Sequence, residues 1–165
     1  MGFFMDNYIE ILKNKLTRYY DFEENIYKGD IKFDLIATFN QRNARYLLLK
    51  ELEYYSFETN EYILYKKIDN EINFTEFEDL LKNNIKDIIT VNKNHMSSIV
   101  TILLETSLSL NEEKIKKVNK FKFHKRFRFG LEGWVNVRFI VINSILNKGY
   151  SNKFGKKELA KFLDN

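Results

Sequence analysis

The chain has 165 residues, no cysteine, and 27 Lys/Arg against 23 Asp/Glu, for a formal net charge of +4. Its length is most simply that of a single domain over residues 1–165. The lack of cysteine excludes disulfides, thiol catalysis and thiolate metal sites. The first residues lack the features of a signal peptide, and no apolar run is long enough to span a bilayer. We therefore expect a cytoplasmic protein without a membrane partner.

Charge is unevenly distributed along the chain. Residues 1–109 carry 13 Lys/Arg and 18 Asp/Glu, whereas residues 110–165 carry 14 and 5. A basic C-terminal third can attract an anionic partner such as nucleic acid. It can equally be solvated, or meet the acidic part of its own chain or of a second copy. A homo-oligomer is therefore one of the open alternatives.

A helix and three strands are predicted first. After a cap at Asp6 or Asn7, one stripe of helical spacing is formed by Tyr8, Ile11, Leu12, Leu16, Tyr19 and Tyr20. Segments rich in β-branched and aromatic residues follow, and turn signals separate them. The predicted strands are Ile31–Phe39, residues 44–57 and residues 61–68. Together they predict an antiparallel meander.

A second helix and a buried strand come next. Thr75 and Glu78 form a capping box ahead of an amphipathic pattern, which predicts the helix. The apolar residues 98–108 predict a central strand of the sheet. Asn111 is predicted to cap a short third helix, whose first turn is acidic and whose later turns are basic.

Two strands and a short helix complete the pattern. The strands are residues 122–131 and Trp134–Asn143, and the final helix carries Leu159, Phe162 and Leu163. The order αβββαβαββα predicts an α/β (α+β) fold in which helices flank one mixed sheet with an antiparallel meander. The same order forms the core of the restriction-endonuclease-like fold, which is a topological analogy and does not itself give a function.

The analogy identifies three candidate catalytic carboxylates. Nucleases of that fold hold a metal ion with an Asp on one strand and a Glu-x-Lys on the next, because residues i and i+2 share a face. Here Asp34 lies on the first predicted strand, and Glu51 and Glu53 share a face of the second. Lys50 points the other way, so the pattern lacks its lysine. Acidic residues on a strand usually form a solvated face, so we expect no metal, with Mg²⁺ or Mn²⁺ as the alternative.

Aromatic and basic residues alternate in the segment FKFHKRFRF, which begins at Phe121. On a strand, the phenylalanines would share one face, and Lys122, Arg126 and Arg128 would share the other. We expect Phe123, Phe127 and Phe129 to be largely buried and the three cations to be exposed. The cations are candidates for contacting phosphates without reading sequence. The rings are interpreted as core, because proteins that stack bases need exposed aromatics.

Two other candidate sites are rejected. His95 is close in sequence to Ser97 and Ser98, but nothing indicates an orienting group or an oxyanion hole. The stretch GYSNKFGKK, which begins at Gly149, has the wrong glycine spacing for a phosphate loop, and no Ser or Thr follows Lys156.

Six stretches resemble an uncharacterised family of small bacterial and archaeal domains of unknown function. They are FDLIA at Phe33, RNARYLL at Arg42, FETNEY at Phe57, NHMSSIVT at Asn94, FRFGLEGWVNVRF at Phe127 and SNKFGKK at Ser151. The resemblance covers nearly the whole chain in matching order. It implies no activity and no catalytic residue.

Three functions remain open from the sequence. The first is a non-enzymatic binding or regulatory module, built on an inactive nuclease-like scaffold with weak, non-specific affinity for nucleic acid. The second is a divalent-metal nuclease that uses Asp34, Glu51 and Glu53. The third is a self-associating protein whose acidic and basic parts meet between copies.

Overall fold

The computed structural model describes residues 7–39, 59–89, 97–127 and 133–164. The helices in these ranges are α1 Asn7–Leu16, α2 Phe74–Ile88 and α3 Glu112–Lys120. The strands are β1 Tyr20–Lys28, β2 Ile31–Phe39, β3 Thr59–Ile68, β4 Ser97–Thr106, β5 His124–Arg126, β6 Trp134–Asn143 and β7 Lys148–Ser151. Two 3-10 turns, Lys153–Gly155 and Leu159–Phe162, follow β7. No helix in the described ranges is long and apolar enough to cross a membrane.

The seven strands of these ranges form one mixed sheet in the order β1-β2-β3-β4-β6-β5, and β7 also pairs with β6. β1, β2 and β3 form an antiparallel meander, while β3, β4 and β6 run parallel. The predicted mixed α/β sheet with a meander is thus confirmed. The predicted strands Ile31–Phe39 and Trp134–Asn143 match β2 and β6. The predicted strand at residues 44–57 lies outside the described residues.

The start of the sheet differs from the prediction. The first helical stripe was wrongly extended to Tyr20, because α1 ends at Leu16 and Tyr20 begins β1. β1 lies at the edge of the sheet, and its side chains are exposed or half-buried, so it lacks a strong apolar signal. A tight turn at Gly29, whose φ of 59° favours glycine, joins it to β2.

Helix starts were predicted with mixed success. Asn111 caps α3 as expected, since its side chain accepts a hydrogen bond from the Lys114 N–H. The capping box at Thr75 was wrong, because Asn73 caps α2 and accepts from the backbone N–H groups of Thr75 and Glu76. An Asn side chain reaches N–H groups two and three residues ahead, which satisfies donors that the helix leaves free.

The C-terminal region also differs from the prediction. Two 3-10 turns stand where one final helix was predicted, and the short strand β7 was missed. Of the predicted strand at residues 122–131, the described part is extended only over His124–Arg126. Short elements of this kind owe their conformation to long-range contacts more than to local pattern.

Apolar clusters cover both faces of the sheet. On one face, α2 and α3 pack with the ring of Phe139 and its neighbours on the central strands. On the other face, α1 and the turn Leu159–Phe162 pack around Tyr65 and Ile140. Adjacent residues of β6, Phe139 and Ile140, therefore belong to opposite clusters, as strand alternation requires.

Candidate anion-binding cleft

A gap in strand pairing along β6 creates a cleft. β4 pairs with the whole of β6, so β5 and β7 must share its other edge. β5 pairs with Trp134, Val135 and Asn136, and β7 pairs with the segment from Ile140 to Asn143. Within the described part of the chain, residues 137–139 consequently have no strand partner on that edge, although the Val137 N–H donates to the Phe123 carbonyl at 3.3 Å.

Asn152 closes most of this gap with its own amide groups. It is 2% exposed, and its Nδ2 donates to the Val137 carbonyl at 2.9 Å. Its Oδ1 accepts from the N–H groups of Phe139 and Gly155, each at 3.0 Å. Its own N–H donates to the Phe139 carbonyl at 3.0 Å. One side chain thus replaces a strand partner and also caps the turn Lys153–Gly155.

The turn is held closely against β6. A Cβ at Gly155 would lie 3.1 Å from the Asn152 Oδ1 and 3.2 Å from Cγ1 of Ile140. A larger residue would push the turn away from the strand. Lys153 and Phe154, which lie between Asn152 and Gly155, therefore project from a fixed backbone.

The resulting cleft has a volume of about 640 Å³ and a basic lining. Its cationic residues are Lys120, Lys122, Arg138, Lys153 and Lys157, and His124 also lies in the lining. Glu158 is the acidic residue among the described residues that line the cleft. A hydrogen bond from Lys161 lowers the pKa of the Glu158 carboxyl, and the nearby Arg138 acts in the same direction. Glu158 is therefore ionised and paired, and among the described residues of the lining it offsets little of the positive charge.

Aromatic rings stand among these cations. Phe154 is 43% exposed, so its ring faces the cleft and solvent. Phe123 also lines the cleft and is half-buried. Phe121 is buried and stacks on Phe139, with ring centroids 4.3 Å apart. Phe123 packs against the buried apolar cluster, as predicted, but it is less completely buried than Phe121 and Phe127.

Arg138 connects the cleft to the acidic part of the sheet. Its Nη1 lies 3.2 Å from Oε1 of Glu61 on β3. Its guanidinium carbon lies 5.5 Å from the centroid of the Phe154 ring, in cation–π geometry. Its Nε is buried and has no hydrogen-bond partner among the described residues. Glu61 thus orients Arg138, and the Arg138 guanidinium packs against the Phe154 ring.

The three basic residues predicted to contact phosphates differ in their positions relative to the cleft. Lys122 is exposed and lines the cleft. Arg126 is exposed, as expected, but it lies outside the lining. Arg128 and Phe129 lie outside the described residues, and Phe127 is buried as predicted.

The sequence interpretation missed Lys153, Phe154 and Lys157. The signal was present in SNKFGKK, where cations flank an aromatic residue in a polar stretch. The stretch does not fit a phosphate loop, and that motif gives no role to its aromatic residue. An aromatic residue flanked by lysines, without apolar periodicity, indicates an exposed ring instead.

Asp34 lies at a second, smaller pocket. Its Oδ2 accepts a hydrogen bond from the Lys67 N–H on β3 at 2.7 Å. The pocket has a volume of about 250 Å³ and also includes Glu24, Tyr65 and Asp69. Glu51 and Glu53 lie outside the described residues. Within the described ranges, no group of three His, Cys, Asp or Glu residues could hold a metal ion.

A buried tyrosine–carboxylate pair lies behind Asp34. The Tyr65 hydroxyl donates to Oε2 of Glu105, and both residues are buried. Burial and the Glu105 carboxylate raise the pKa of Tyr65 well above its ordinary value. Tyr8 on α1 packs against Tyr65, with ring centroids 5.5 Å apart, and donates to the Phe162 carbonyl at 2.9 Å. Tyr65 therefore helps to hold α1 on this face through its contact with Tyr8, and the Tyr8 hydrogen bond holds the C-terminal turn against α1.

Comparison with known proteins gives a family and no function. No curated protein and no solved structure matches the chain. One family model, described as domain of unknown function DUF8052, matches residues 5–165. That match covers nearly the whole chain and confirms the resemblance seen in its sequence. The chain belongs to the DUF8052 family.

Proposed function

We propose that this chain is a non-enzymatic binding module that holds nucleic acid in the cleft along β6. The observation that carries the proposal is the unbalanced lining: Lys120, Lys122, Lys153 and Lys157 surround one cleft, with Glu158 as its acidic residue among those described. Clustered cations that lack internal partners attract a polyanion. Such contacts position a phosphate backbone without reading its sequence.

A polymer fits this lining better than a single small anion does. The lysines lie on two separate segments, the end of α3 with the chain after it and the turn following β7. They can neutralise several successive phosphates and release their counterions. For about three such contacts, the affinity should fall on the order of 10- to 100-fold between 50 and 200 mM salt.

The decisive experiment is a binding titration with a labelled oligonucleotide, followed by fluorescence anisotropy at those two salt concentrations. The Lys120→Glu, Lys153→Glu double variant should lose more than tenfold affinity at low salt. A matched control is Lys32→Glu, Lys86→Glu, which changes the charge equally at exposed positions outside the cleft. Absence of binding by the wild type, or equal losses in both variants, would overturn the proposal.

We also propose that the fold is a nuclease-like scaffold without a working metal site. Support for the scaffold comes from the order α1, meander, α2 and a β4 parallel to β3, which is the order of the restriction-endonuclease-like core. Support for inactivity comes from β3, the described strand that pairs with the Asp34 strand, because it carries Tyr65-x-Lys67 and not Glu-x-Lys, while the earlier candidates Glu51 and Glu53 lie outside the described residues. A phenol held by Glu105 is not a metal ligand of that kind.

The metal-dependent nuclease remains the competing function, and it is tested separately. Purified protein should leave single- and double-stranded substrates intact in Mg²⁺ or Mn²⁺, and neither ion should raise its melting temperature. Cleavage that requires metal and disappears in Asp34→Ala would establish the nuclease instead. Self-association, the third alternative, predicts a molecular mass in solution that depends on salt and protein concentration.

A further inference from the structure

We infer that the cleft selects single-stranded over double-stranded nucleic acid by stacking an unpaired base on Phe154. This inference rests on the proposed function and identifies its substrate class. Its starting point is an aromatic ring, 43% exposed, within a lining of cations. Every base has a face that can stack on such a ring. Stacking therefore distinguishes single-stranded from double-stranded nucleic acid but does not read the sequence.

The ring is held in place before any ligand arrives. The turn that carries Phe154 is capped by Asn152 and packed tightly at Gly155. Arg138 lies against the ring and is itself held by Glu61. A fixed platform loses little conformational entropy on binding, which favours stacking over an equally exposed but mobile side chain.

The surrounding charges suit a strand that passes over the ring. Lys153 and Lys157 are close to Phe154 in sequence, and Lys120 and Lys122 line the same cleft from another segment. Phosphates on either side of a stacked nucleotide can therefore meet cations from both segments. In a duplex the bases are already paired and stacked, so their faces are closed to Phe154 unless base pairs open.

The cleft volume agrees with this mode of binding. A cavity of about 640 Å³ lies within the range of roughly 300–1,000 Å³ that is typical of small-ligand sites. That space admits a base with its sugar and is much narrower than a double helix. A duplex would therefore contact the exposed lysines from outside the cleft.

The test compares a labelled single strand with a fully paired, blunt-ended duplex that has the same number of phosphates, at low salt. Phe154→Ala should weaken single-strand binding roughly 5- to 150-fold, the range of one stacked base, and leave duplex binding nearly unchanged. Phe154→Tyr should retain the wild-type affinity, because it keeps the ring. Tyr27→Ala is the control, since Tyr27 is 66% exposed on β1 and outside the cleft.

The outcomes separate the inference from the proposed function. Equal affinity of the wild type for both ligands, or equal losses for both in Phe154→Ala, would overturn the stacking inference. The proposed function would still stand if the cleft lysine pair continued to control binding. If the wild type bound neither ligand, both the stacking inference and the proposed function would be wrong.

Discussion

The cleft along β6 and the pocket at Asp34 use polar groups in opposite ways. At Asp34, the carboxylate accepts a backbone N–H of β3, and Tyr65 donates to Glu105 behind it. These polar groups are satisfied within the protein. In the cleft, lysines from two segments face solvent with little opposing charge. Polar groups that satisfy one another stabilise a fold, whereas unmatched charge around a cavity indicates a partner outside the chain.

The same contrast separates the two parts of the sequence. The Asp34 pocket lies within residues 1–109, where acidic residues outnumber basic ones, and the cleft lies within residues 110–165, where basic residues dominate. The ion pair between Arg138 and Glu61 joins the two regions across the sheet. Through this contact, the described part of the acidic region neutralises one of the cationic groups that line the cleft.

The largest expected effect is a loss of stability when Asn152, which shapes the cleft, is replaced. Asn152→Ala should lower the free energy of unfolding by about 2–4 kcal/mol, because the buried Val137 carbonyl and Phe139 N–H lose their side-chain partner. It should also weaken oligonucleotide binding, since the turn carrying Phe154 is released. Chemical denaturation and the anisotropy titration measure the two effects.

The control for this change is Asn147→Gly. Asn147 makes two side-chain hydrogen bonds with the backbone of Asp164, but at an exposed site. Its φ of 48° suits glycine, so the change adds no backbone strain. We expect a loss of less than about 1 kcal/mol there, because water replaces the lost partner. Similar losses for the two variants would contradict the role given to Asn152.

An intermediate effect is expected beside Asp34. Tyr65→Phe should cost about 1–3 kcal/mol, since the buried Glu105 carboxylate loses a donor. Binding to nucleic acid should not change. A loss of affinity matching that of the cleft lysine pair would show that the two regions are not independent.

The same variant should alter the pH dependence of stability. The raised pKa keeps Tyr65 protonated in the folded chain at a pH where the unfolded chain has ionised. Stability should therefore be retained below the ordinary pKa of 10.0 and fall as the pH rises above it. Chemical denaturation between pH 9 and pH 11 should show that the free energy of unfolding falls less steeply for Tyr65→Phe than for the wild type. This pH interval is chosen because an unperturbed tyrosine phenol has a pKa of roughly 10.

The smallest effect should come from Arg126, which is exposed on β5 and outside the cleft lining. Arg126→Glu should change the free energy of unfolding by less than about 0.5 kcal/mol. Its effect on affinity should be well below that of the cleft lysine pair. A loss of affinity equal to that of the cleft lysine pair would show that the binding surface extends along β5 and includes Arg126.

Local pattern predicted the elements that carry strong apolar signals. β2 and β6 were predicted at their observed ends, and Asn111 was identified as a cap. β1 was missed, because an edge strand with exposed and half-buried residues is stabilised by pairing with β2. The Asn73 cap was missed because the capping-box pattern at Thr75 fits equally well in sequence.

The candidate site was predictable only in part. Alternation in FKFHKRFRF identified Lys122 as an exposed cation. It could not show that Lys153 and Phe154, about 30 residues later, would share a cleft with it. That arrangement depends on β5 and β7 leaving a gap along β6 and on Asn152 filling it. Hydrogen bonds over such sequence distances leave no local periodic signal.

Asn152 has one more consequence, for self-assembly. An apolar strand with free N–H and C=O groups is a template on which another chain can add a strand. β6 is apolar, β5 and β7 pair with most of this side of it, and Asn152 occupies the Val137 carbonyl and the Phe139 N–H in the gap between them. A carboxamide cannot propagate a β-ladder as a further strand would. Asn152, which shapes the cleft, therefore also closes this gap in β6 to strand pairing with another chain and so opposes aggregation there.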